Sequence, residues 1–327
     1  MQNAASKNIM ANNTPQVSVV IPVYGSAGVI PKLSELLTET IESTGRSFEI
    51  ILVCDNSPDK SWQAIEEASL KYSSIRGVLL RKNVGQHNAI MAGLGCALGQ
   101  VIVTMDDDLQ HNPSDIPLLL NKLDEGHDIV FAHFKNRNHA LWKVLGSKLN
   151  DKAAQLLLKK PKGLYLSPFR AMRSEIKDAV LRYKGPFVYL DGLILTVTTN
   201  VGSVDVAHHD RYAGDSGYSL KKSISLWMKM ATNFSIYPLR LTSFAGFITA
   251  GLGFAYAIFL IIQRIMNDNL PSGWSSIIVT LLVIGGLQLL AIGMVGEYLG
   301  RALLTINGSP QYVIKKITAS SNSKDKQ

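Results

Sequence analysis

Short apolar runs alternate with amphipathic stretches over the first 132 residues, and this alternation limits the possible folds more than any other feature of the chain. Runs rich in β-branched residues predict strands at residues 17–23, 49–54, 77–80, 101–105 and 128–132. Helices are predicted between them, at 27–43, 60–72, 85–98 and from Pro113 onward. A parallel sheet with helices on both faces is the economical solution for such a chain. The expected fold class is therefore α/β, with a Rossmann-like, mostly parallel sheet.

Composition bounds the class of protein. The chain has 327 residues, a net charge of +8 and a pI near 9.3, a balance that suits nucleic acid, an anionic bilayer surface or a phosphorylated substrate. Cys54 and Cys96 have no metal-type spacing and indicate no disulfide framework, which fits a reducing compartment. The polar residues 1–16 lack the apolar core of a signal peptide, so the first 240 residues are expected in the cytoplasm.

The alternation loosens beyond residue 132. A helix is predicted at 139–158, followed by the segment SPFRAMR (167–173), a short helix and a strand near 203–207. Residues 218–233 mix lysines with large apolar residues, a composition typical of a helix lying on a membrane surface. An ordinary core-facing helix explains this last segment equally well on its own.

Two long uncharged stretches follow. The 23 residues from 241 to 263 carry no charge, and as a helix they extend about 34 Å, against about 30 Å for the core of a bilayer. A second uncharged stretch lies between Asp268 and Glu297, with Trp274 and Tyr298 near its ends as in an interfacial aromatic belt. Two transmembrane helices are therefore predicted, at about 241–264 and 273–296, the alternative being a pair of buried core helices.

Charge around these stretches predicts their orientation and completes the domain plan. Lysines and arginines flank the two outer ends, while the joining loop is nearly neutral, so the positive-inside rule puts both termini in the cytoplasm. The expected organisation is a disordered N-terminus (1–15), a catalytic domain (16–216), an amphipathic membrane-surface region (217–239), two transmembrane helices (240–300) and a cytoplasmic C-terminal tail (301–327).

An acidic cluster directly follows the fourth predicted strand. Asp106 and Asp108 alternate along the chain and Gln110 adds a neutral oxygen, a set that suits Mg²⁺ or Mn²⁺. An ion held there would neutralise charge on a diphosphate leaving group. A polar strand end with solvated carboxylates is the alternative. Ligands of such sheets bind beyond the carboxyl ends of the strands, which is where this cluster lies.

Polar residues also follow the second and third strands. Asp55 is suited to accept hydrogen bonds from a nucleobase or ribose, but turn chemistry explains it equally well, and Asp59 suits a helix cap. Asn83 and Gly85 open a helix whose N-terminus is suited to attract phosphate.

A basic set lies further along the chain, and it fits a phosphate acceptor. Its members are Lys135, Arg137, Lys143, Lys148, Arg170, Arg173 and Arg211. Arginine suits bidentate recognition of phosphate. The sequence offers no convincing Ser–His or Cys–His pair. A phosphomonoester, with a second pKa of about 6, is largely dianionic at neutral pH and needs positioning rather than a general base.

The chain resembles family-two glycosyltransferases with a GT-A fold in four ordered segments, VSVVIPVYG, ILVCDNSPDKS, RKNVGQHNAIMAGL and MDDDLQHNP. SPFRAMR is similar to a segment of dolichyl-phosphate mannose synthases. HHDRYAGDSGYSL and GEYLGR, with the two membrane stretches, resemble bacterial polyprenyl-phosphate glycosyltransferases such as undecaprenyl-phosphate aminoarabinose transferases and bactoprenol glucosyltransferases. The resemblance covers roughly residues 17–316.

The resemblance implies a role for individual positions. It implies catalytic roles for Asp106, Asp108, Arg137 and Arg170, and a metal site at Asp106, Asp108 and Gln110. It implies nucleotide contacts at Pro22, Tyr24, Asp55, Asn83, Asp106 and Asp107. The acceptor phosphate is expected at Arg137, Lys143, Ser147, Arg173, Arg211 and Ser216, of which the last three, with Arg170, match positions around the diphosphate and lid.

Several positions depart from the family pattern. Cys54 replaces the first aspartate of a usual Asp-Asp pair, and Asp107 occupies a slot that is often small. His133 and Phe134 stand around the position of a frequent arginine. Asp191 either contacts the sugar or caps a helix, and the cap is favoured.

The implied reaction is an inverting transfer of a sugar from a nucleotide-sugar, most simply a UDP-sugar, to undecaprenyl phosphate, giving a lipid-linked monosaccharide for cell-envelope glycans. The resemblance implies Mg²⁺ or Mn²⁺, a homo-oligomer such as a tetramer, no nucleic-acid partner, and a multi-pass protein of the bacterial inner membrane with a cytoplasmic catalytic domain. One alternative is a polysaccharide synthase, although the chain has no Arg-Trp dipeptide of the kind those enzymes carry. The other is a catalytically silent membrane protein that binds nucleotide-sugar or scaffolds partners.

Overall fold

The structure is a computed structural model that describes residues 14–134, 161, 163–206, 237–266 and 273–318. The chain divides into two compact units, Met1–Tyr218 with Pro310–Gln327, and Ser219–Ser309. The helix predicted at 139–158 lies outside the described residues, and so does the membrane-surface segment apart from residues 237–239.

The first unit is built on a mixed sheet of eight strands in the order β7-β5-β6-β4-β1-β2-β3-β8. The strands are β1 Val17–Val23, β2 Phe48–Cys54, β3 Ile75–Leu80, β4 Val101–Thr104, β5 Ile129–Phe134, β6 Arg170–Arg173, β7 Val201–Val206 and β8 Ile314–Ile317. Parallel pairs join β1 to β2 and β4, β2 to β3, and β5 to β7. β6 runs antiparallel between β4 and β5, and β8 runs antiparallel to β3.

Helices cover both faces of this sheet, as predicted. The helices of the first unit are α1 Ile30–Glu42, α2 Ser61–Lys71, α3 Gln86–Cys96, α4 Ile116–Asp124, α5 Ser174–Leu181 and α6 Leu190–Val197, with a 3-10 turn at Pro113–Asp115. Val19 and Ile21 of β1 belong to the core that α1 and α4 close, with α2 packed beside β3. On the other face α3 approaches closely through Gly93, because a Cβ there would lie 2.3 Å from Cγ1 of Val20.

The five predicted strands are all present, β1 at its predicted bounds and the other four with one or both ends shifted by one or two residues. Two further strands were not predicted. β6 lies within SPFRAMR and makes the sheet mixed, because it runs against its two neighbours.

The second unpredicted strand corrects the expectation for residues 301–327. Instead of belonging wholly to a tail, Ile314–Ile317 pairs with the outer edge of β3. The Gly77 N–H donates to Thr318 Oγ1 at 2.8 Å, and the Arg81 N–H donates to the Val313 carbonyl at 2.9 Å. We call residues 311–318 the C-terminal strap. It protects the edge of β3, which otherwise presents unpaired backbone groups.

The second unit contains two long helices, α7 Tyr237–Met266 and α8 Trp274–Ile306, which contact each other. α7 extends beyond its predicted span at both ends, and α8 extends beyond its span at the C-terminal end. Large apolar side chains are exposed on both, for example Phe247 at 78% and Leu289 at 72%. By length and composition, one stretch of the described residues can cross a bilayer, Val283–Ile306, with a mean hydropathy of 1.5 and no part of it buried. An exposed apolar surface of this kind marks an interaction or membrane site.

Candidate active site

The acidic loop after β4, residues 106–111, lies at the carboxyl edge of the parallel strands. Gln86, the first residue of α3, donates through Nε2 to Asp106 Oδ1 at 2.6 Å. The Gln110 N–H donates to Asp108 Oδ1 at 3.1 Å, and Leu109 adopts a left-handed φ of 58°. The loop therefore turns back on itself and keeps its oxygen-bearing side chains on one short segment.

The donor set of this loop fits a hard divalent cation. Among the described residues, no group of three or more His, Cys, Asp or Glu side chains could hold a metal ion. Two carboxylates and a carboxamide form a smaller set, at Asp106, Asp108 and Gln110. Mg²⁺ is commonly bound by one or two carboxylates and completed by water and substrate phosphates. The loop thus suits an ion that arrives with a diphosphate rather than a permanently enclosed metal.

His111, the last residue of the acidic loop, is hydrogen-bonded back to the first. Its Nδ1 accepts the Asp106 N–H at 3.2 Å, and the side chain is 6% exposed. Its ring is stacked between Phe134 and Phe169, with centroid distances of 5.4 and 5.3 Å and interplanar angles of 18° and 20°. Sequence reasoning missed this residue, because its two ring partners are distant in the chain and follow no local pattern.

Asp107 ties the acidic loop to the loop after β1. Its Oδ2 accepts the Tyr24 N–H at 3.2 Å. Burial raises the pKa of the Asp107 carboxyl, opposed by hydrogen bonds from Ser26 and Tyr24. Asp107 therefore links the two loops, and its nucleotide contact stays a prediction. Tyr24, by contrast, is 54% exposed at the same edge and presents its ring to solvent.

Asp55 orders the loop that leads into α3. It is 3% exposed, and its two oxygens accept the N–H groups of Val84 and Gly85, both at 2.8 Å. Asn83 lies in the same loop, beside these two N–H groups. Burial raises the pKa of the neighbouring Cys54 thiol, so this position is uncharged at neutral pH. Asp55 therefore joins the ends of β2 and β3, and any nucleotide contact would come in addition to this role.

Asp59 holds the turn after β2, as its sequence context indicated. It accepts hydrogen bonds from the Ser57 and Ser61 hydroxyls and from the Ala27 N–H. Burial alone would raise its pKa, but these hydrogen bonds outweigh burial and lower the pKa to about 2. The loops after β1 and β2 are thus fastened to each other beside the acidic loop.

Arg170 and Asp191 form a buried ion pair at the same edge of the sheet. Arg170 is 1% exposed, its Nη1 donates to Asp191, and its Nε donates to Thr104 Oγ1 at 3.1 Å. The guanidinium also lies 5.5 Å from the centre of the Phe131 ring. Asp191 is therefore an ion-pair partner rather than the helix cap that we expected, and the N-cap of α6 is Tyr189, without a side-chain cap. Arg170, predicted as catalytic, is enclosed by protein groups.

Arg173 lies at the opposite end of the sheet from the acidic loop. Because β6 is antiparallel to β4, Arg170 is opposite Thr104 while Arg173 is opposite Val101, at the start of β4. Arg173 donates to the carbonyls of His127 and Leu123. The structure does not bring Arg173 together with the other predicted site residues. Arg170 and Arg173 are the two ends of β6, so they lie at opposite edges of the sheet.

The remaining predicted acceptor residues lie outside the described residues. These are Arg137, Lys143, Ser147, Arg211 and Ser216. Near the last described residues before these segments, His133 on β5 is paired with Asp205 on β7 at 2.8 Å. A cavity of about 320 Å³ lies elsewhere, at the amino ends of β1 to β3 beside Glu49 and Arg76. Its position makes it unrelated to the acidic loop.

The chain is similar to known proteins in sequence and in fold. The profile of glycosyl transferase family 2 matches residues 18–181. Undecaprenyl-phosphate 4-deoxy-4-formamido-L-arabinose transferase from Aeromonas hydrophila is 34% identical over 97% of this chain and 98% of its own. The protein of the same name from Enterobacter sp. is 36% identical over 93% of this chain and 94% of its own.

A solved structure supports the fold. Glucosyl-3-phosphoglycerate synthase from Mycobacterium tuberculosis, in complex with Mn²⁺, UDP-glucose and phosphoglyceric acid, matches with a TM-score of 0.51 and 17% identity. The match covers 68% of this chain and 79% of that one. At this identity the likeness is one of fold alone.

Proposed function

This chain belongs to glycosyl transferase family 2, and from that premise we propose that it transfers a sugar from a nucleotide-sugar to undecaprenyl phosphate. One observation carries the acceptor: the alignment with the undecaprenyl-phosphate 4-deoxy-4-formamido-L-arabinose transferases. It extends over 97% of this chain, far beyond the 18–181 segment common to the family. The likeness therefore includes the membrane helices, which a soluble acceptor would not require.

The donor is proposed to be a UDP-sugar, held beyond the carboxyl ends of β1 to β4. Tyr24 is exposed on the loop after β1, which Asp107 fastens, and Asn83 lies on the loop after β3, which Asp55 fastens. Asp106, Asp108 and Gln110 would hold Mg²⁺ or Mn²⁺, which when bound supplies charge neutralisation for the departing diphosphate. UDP-4-deoxy-4-formamido-L-arabinose is the first donor to test, because the named relatives transfer this sugar.

The proposed reaction needs no proton acceptor. An oxygen of the acceptor phosphate attacks the anomeric carbon, the bond from that carbon to the diphosphate oxygen breaks, and configuration inverts. The products are a polyprenyl-phosphate sugar and UDP. The acceptor phosphate is proposed to be held by Arg137, Lys143, Ser147, Arg211 and Ser216, since basic and hydroxyl side chains position a dianion. Arg173 is left out of this set because it lies at the far edge of the sheet.

The enzyme is proposed to cross the bacterial inner membrane twice, through α7 and α8. The sheet supports an even number of crossings, because β3 precedes both helices, β8 follows them, and the two strands pair. A single crossing through Val283–Ile306 would leave β8 on the wrong side of the bilayer from its partner. Reporter fusions test this topology. A reporter that is active only in the periplasm is expected to be active when fused after residue 270 and inactive when fused after Gln327. Activity of both fusions would refute two spans.

The decisive experiment uses the full chain in detergent with undecaprenyl phosphate, Mn²⁺ or Mg²⁺, and a panel of nucleotide-sugars, followed by mass spectrometry of the lipid. We expect one donor to give a polyprenyl-phosphate sugar, and a chelator or Asp108→Ala to abolish it. Asp124→Ala is the matched control, an exposed aspartate at the end of α4 paired only with Arg46 in the described part. Bound nucleotide without lipid product from any donor would favour a silent nucleotide-sugar-binding protein.

A homo-oligomer, for which the resemblance suggests a tetramer, stays a prediction. Light scattering of the detergent complex measures it directly, with the detergent mass subtracted.

A further inference from the structure

His111 is held in a way that none of the roles assigned so far explains. A histidine beside an acidic loop is expected to be solvated or to bind a cation, yet this ring is 6% exposed and packed between two phenylalanines. Phe134 and Phe169 are themselves 7% and 0% exposed. The ring thus occupies a fixed slot in the core, directly under the acidic loop.

The hydrogen bond at this slot has a direction. The Asp106 backbone N–H is the donor at 3.2 Å, so Nδ1 of His111 accepts through its lone pair and the ring proton is on Nε2. A backbone N–H fixes the position of the peptide plane before Asp106, and with it the direction of the Asp106 side chain. Gln86 holds the carboxylate of the same residue, through Oδ1.

We propose that His111 is a positioning residue for the donor site, which orients Asp106 through Nδ1 and connects the acidic loop to the end of β5 through the Phe134 contact. The inference rests on the proposed function. Phe134 is the last residue of β5, and the chain continues from it towards Lys135 and Arg137. A shift of the ring therefore displaces the two sides of the reaction together, the carboxylate on the donor side and the origin of the basic segment on the acceptor side.

Two substitutions separate the hydrogen bond from the packing. His111→Phe keeps a ring between Phe134 and Phe169 but has no acceptor for the Asp106 N–H. His111→Asn loses the ring but carries Oδ1 at the same bond separation from Cα as Nδ1. His111→Gln moves its amide one bond further away, and it replaces the phenylalanine variant if that variant does not fold. His127→Asn is the matched control, because His127 pairs with Asn200 at the far edge of the sheet.

The readout is binding of Mn²⁺, in the presence of UDP, to the full chain in detergent. Binding is measured as the loss of the free Mn²⁺ signal in electron paramagnetic resonance. We expect His111→Phe, or His111→Gln in its place, to weaken Mn²⁺ affinity roughly 10- to 100-fold, as changes behind a metal ligand do. His111→Asn is expected to stay within about threefold of the wild type, because it restores the acceptor. Thermal unfolding of each variant is recorded alongside.

Two results would overturn the inference. One is wild-type Mn²⁺ affinity in His111→Phe and His111→Gln. The other is an equal loss of Mn²⁺ affinity in the asparagine and glutamine variants that follows their lower unfolding temperatures. That result would mean that His111 contributes only packing. Failure of the proposed function has a different signature, since the wild type would then bind Mn²⁺ and UDP yet make no lipid product.

Discussion

Removing Asp191 is expected to destabilise the catalytic unit strongly, because it leaves the Arg170 guanidinium buried without a counter-charge. Arg170 is 1% exposed and its side chain is held by Asp191, Thr104 and the face of Phe131. The guanidinium cannot be deprotonated, so it cannot escape the cost of burial by losing its charge. Nor can it reach water without disrupting the core between β4 and β5.

The size of the effect follows from the burial of the pair. Breaking a buried ion pair by removing one partner costs about 3–5 kcal/mol. For a unit of about 200 residues, each kcal/mol lowers Tm by about 2–4 °C, so Asp191→Ala is expected to lower it by roughly 6–20 °C. The double variant Arg170→Met/Asp191→Leu removes both charges and is expected to recover most of this loss, since an apolar pair of similar volume is often neutral or stabilising.

Thermal unfolding of the full chain in detergent, followed by tryptophan fluorescence, measures these differences. Arg46→Ala provides the matched control, because it breaks the Arg46–Asp124 pair, whose side chains are 26% and 52% exposed. An exposed pair contributes about 0–1 kcal/mol, so this variant is expected to stay within about 4 °C of the wild type. If Asp191→Ala unfolds within the same range as Arg46→Ala, the pair does not stabilise the fold and the reasoning fails.

Three further outcomes are expected. Gly77→Ala lowers Tm, because the added Cβ would lie 2.4 Å from Cγ2 of Ile65. Such overpacking typically costs about 1–3 kcal/mol. The control Gly28→Ala places its Cβ in open space and is expected to leave Tm unchanged. Asp59→Asn lowers the free energy of unfolding at neutral pH. The pKa of Asp59 in the folded wild type is depressed to about 2, so the difference in unfolding free energy between wild type and variant shrinks as pH falls from about 4 towards 2. Urea titrations measure this difference, and a pH-independent value would contradict the prediction. Truncation after Ser309 exposes the edge of β3 and is expected to cause aggregation on size-exclusion chromatography, while truncation after Thr318 leaves the protein monodisperse.

The parallel strands could be predicted from sequence because burial on both faces leaves a continuous apolar run. VSVVIPV of β1 is buried at every position. β6 and β8 escaped prediction because they carry charge: RAMR has an arginine at each end, and IKKI holds two lysines on an exposed outer strand. Their pairing is decided by partners elsewhere in the chain, so no local pattern reports it.

The same distinction between local patterns and distant partners applies to the candidate site. The acidic loop could be located from sequence, because polar residues at the end of an apolar strand are a local pattern and the sheet then fixes their edge. The partner of Asp191 could not be found in this way, since a carboxylate in the first turn of a helix suits a cap as well as an ion pair. Arg173 was misjudged because its proximity in sequence to Arg170 conceals the direction of β6.

The C-terminal strap can pair with β3 only late in translation. Gly77 and Thr318 bond across 241 residues of chain. At about 5–20 residues per second, translation needs roughly 12–48 s to cover that separation. During this interval the edge of β3 is open, although the strands before it have already been made. The sheet is completed only after α7 and α8 have been synthesised. If these helices enter a bilayer as proposed, a delay in their insertion prolongs the period in which nascent catalytic domains need protection from one another.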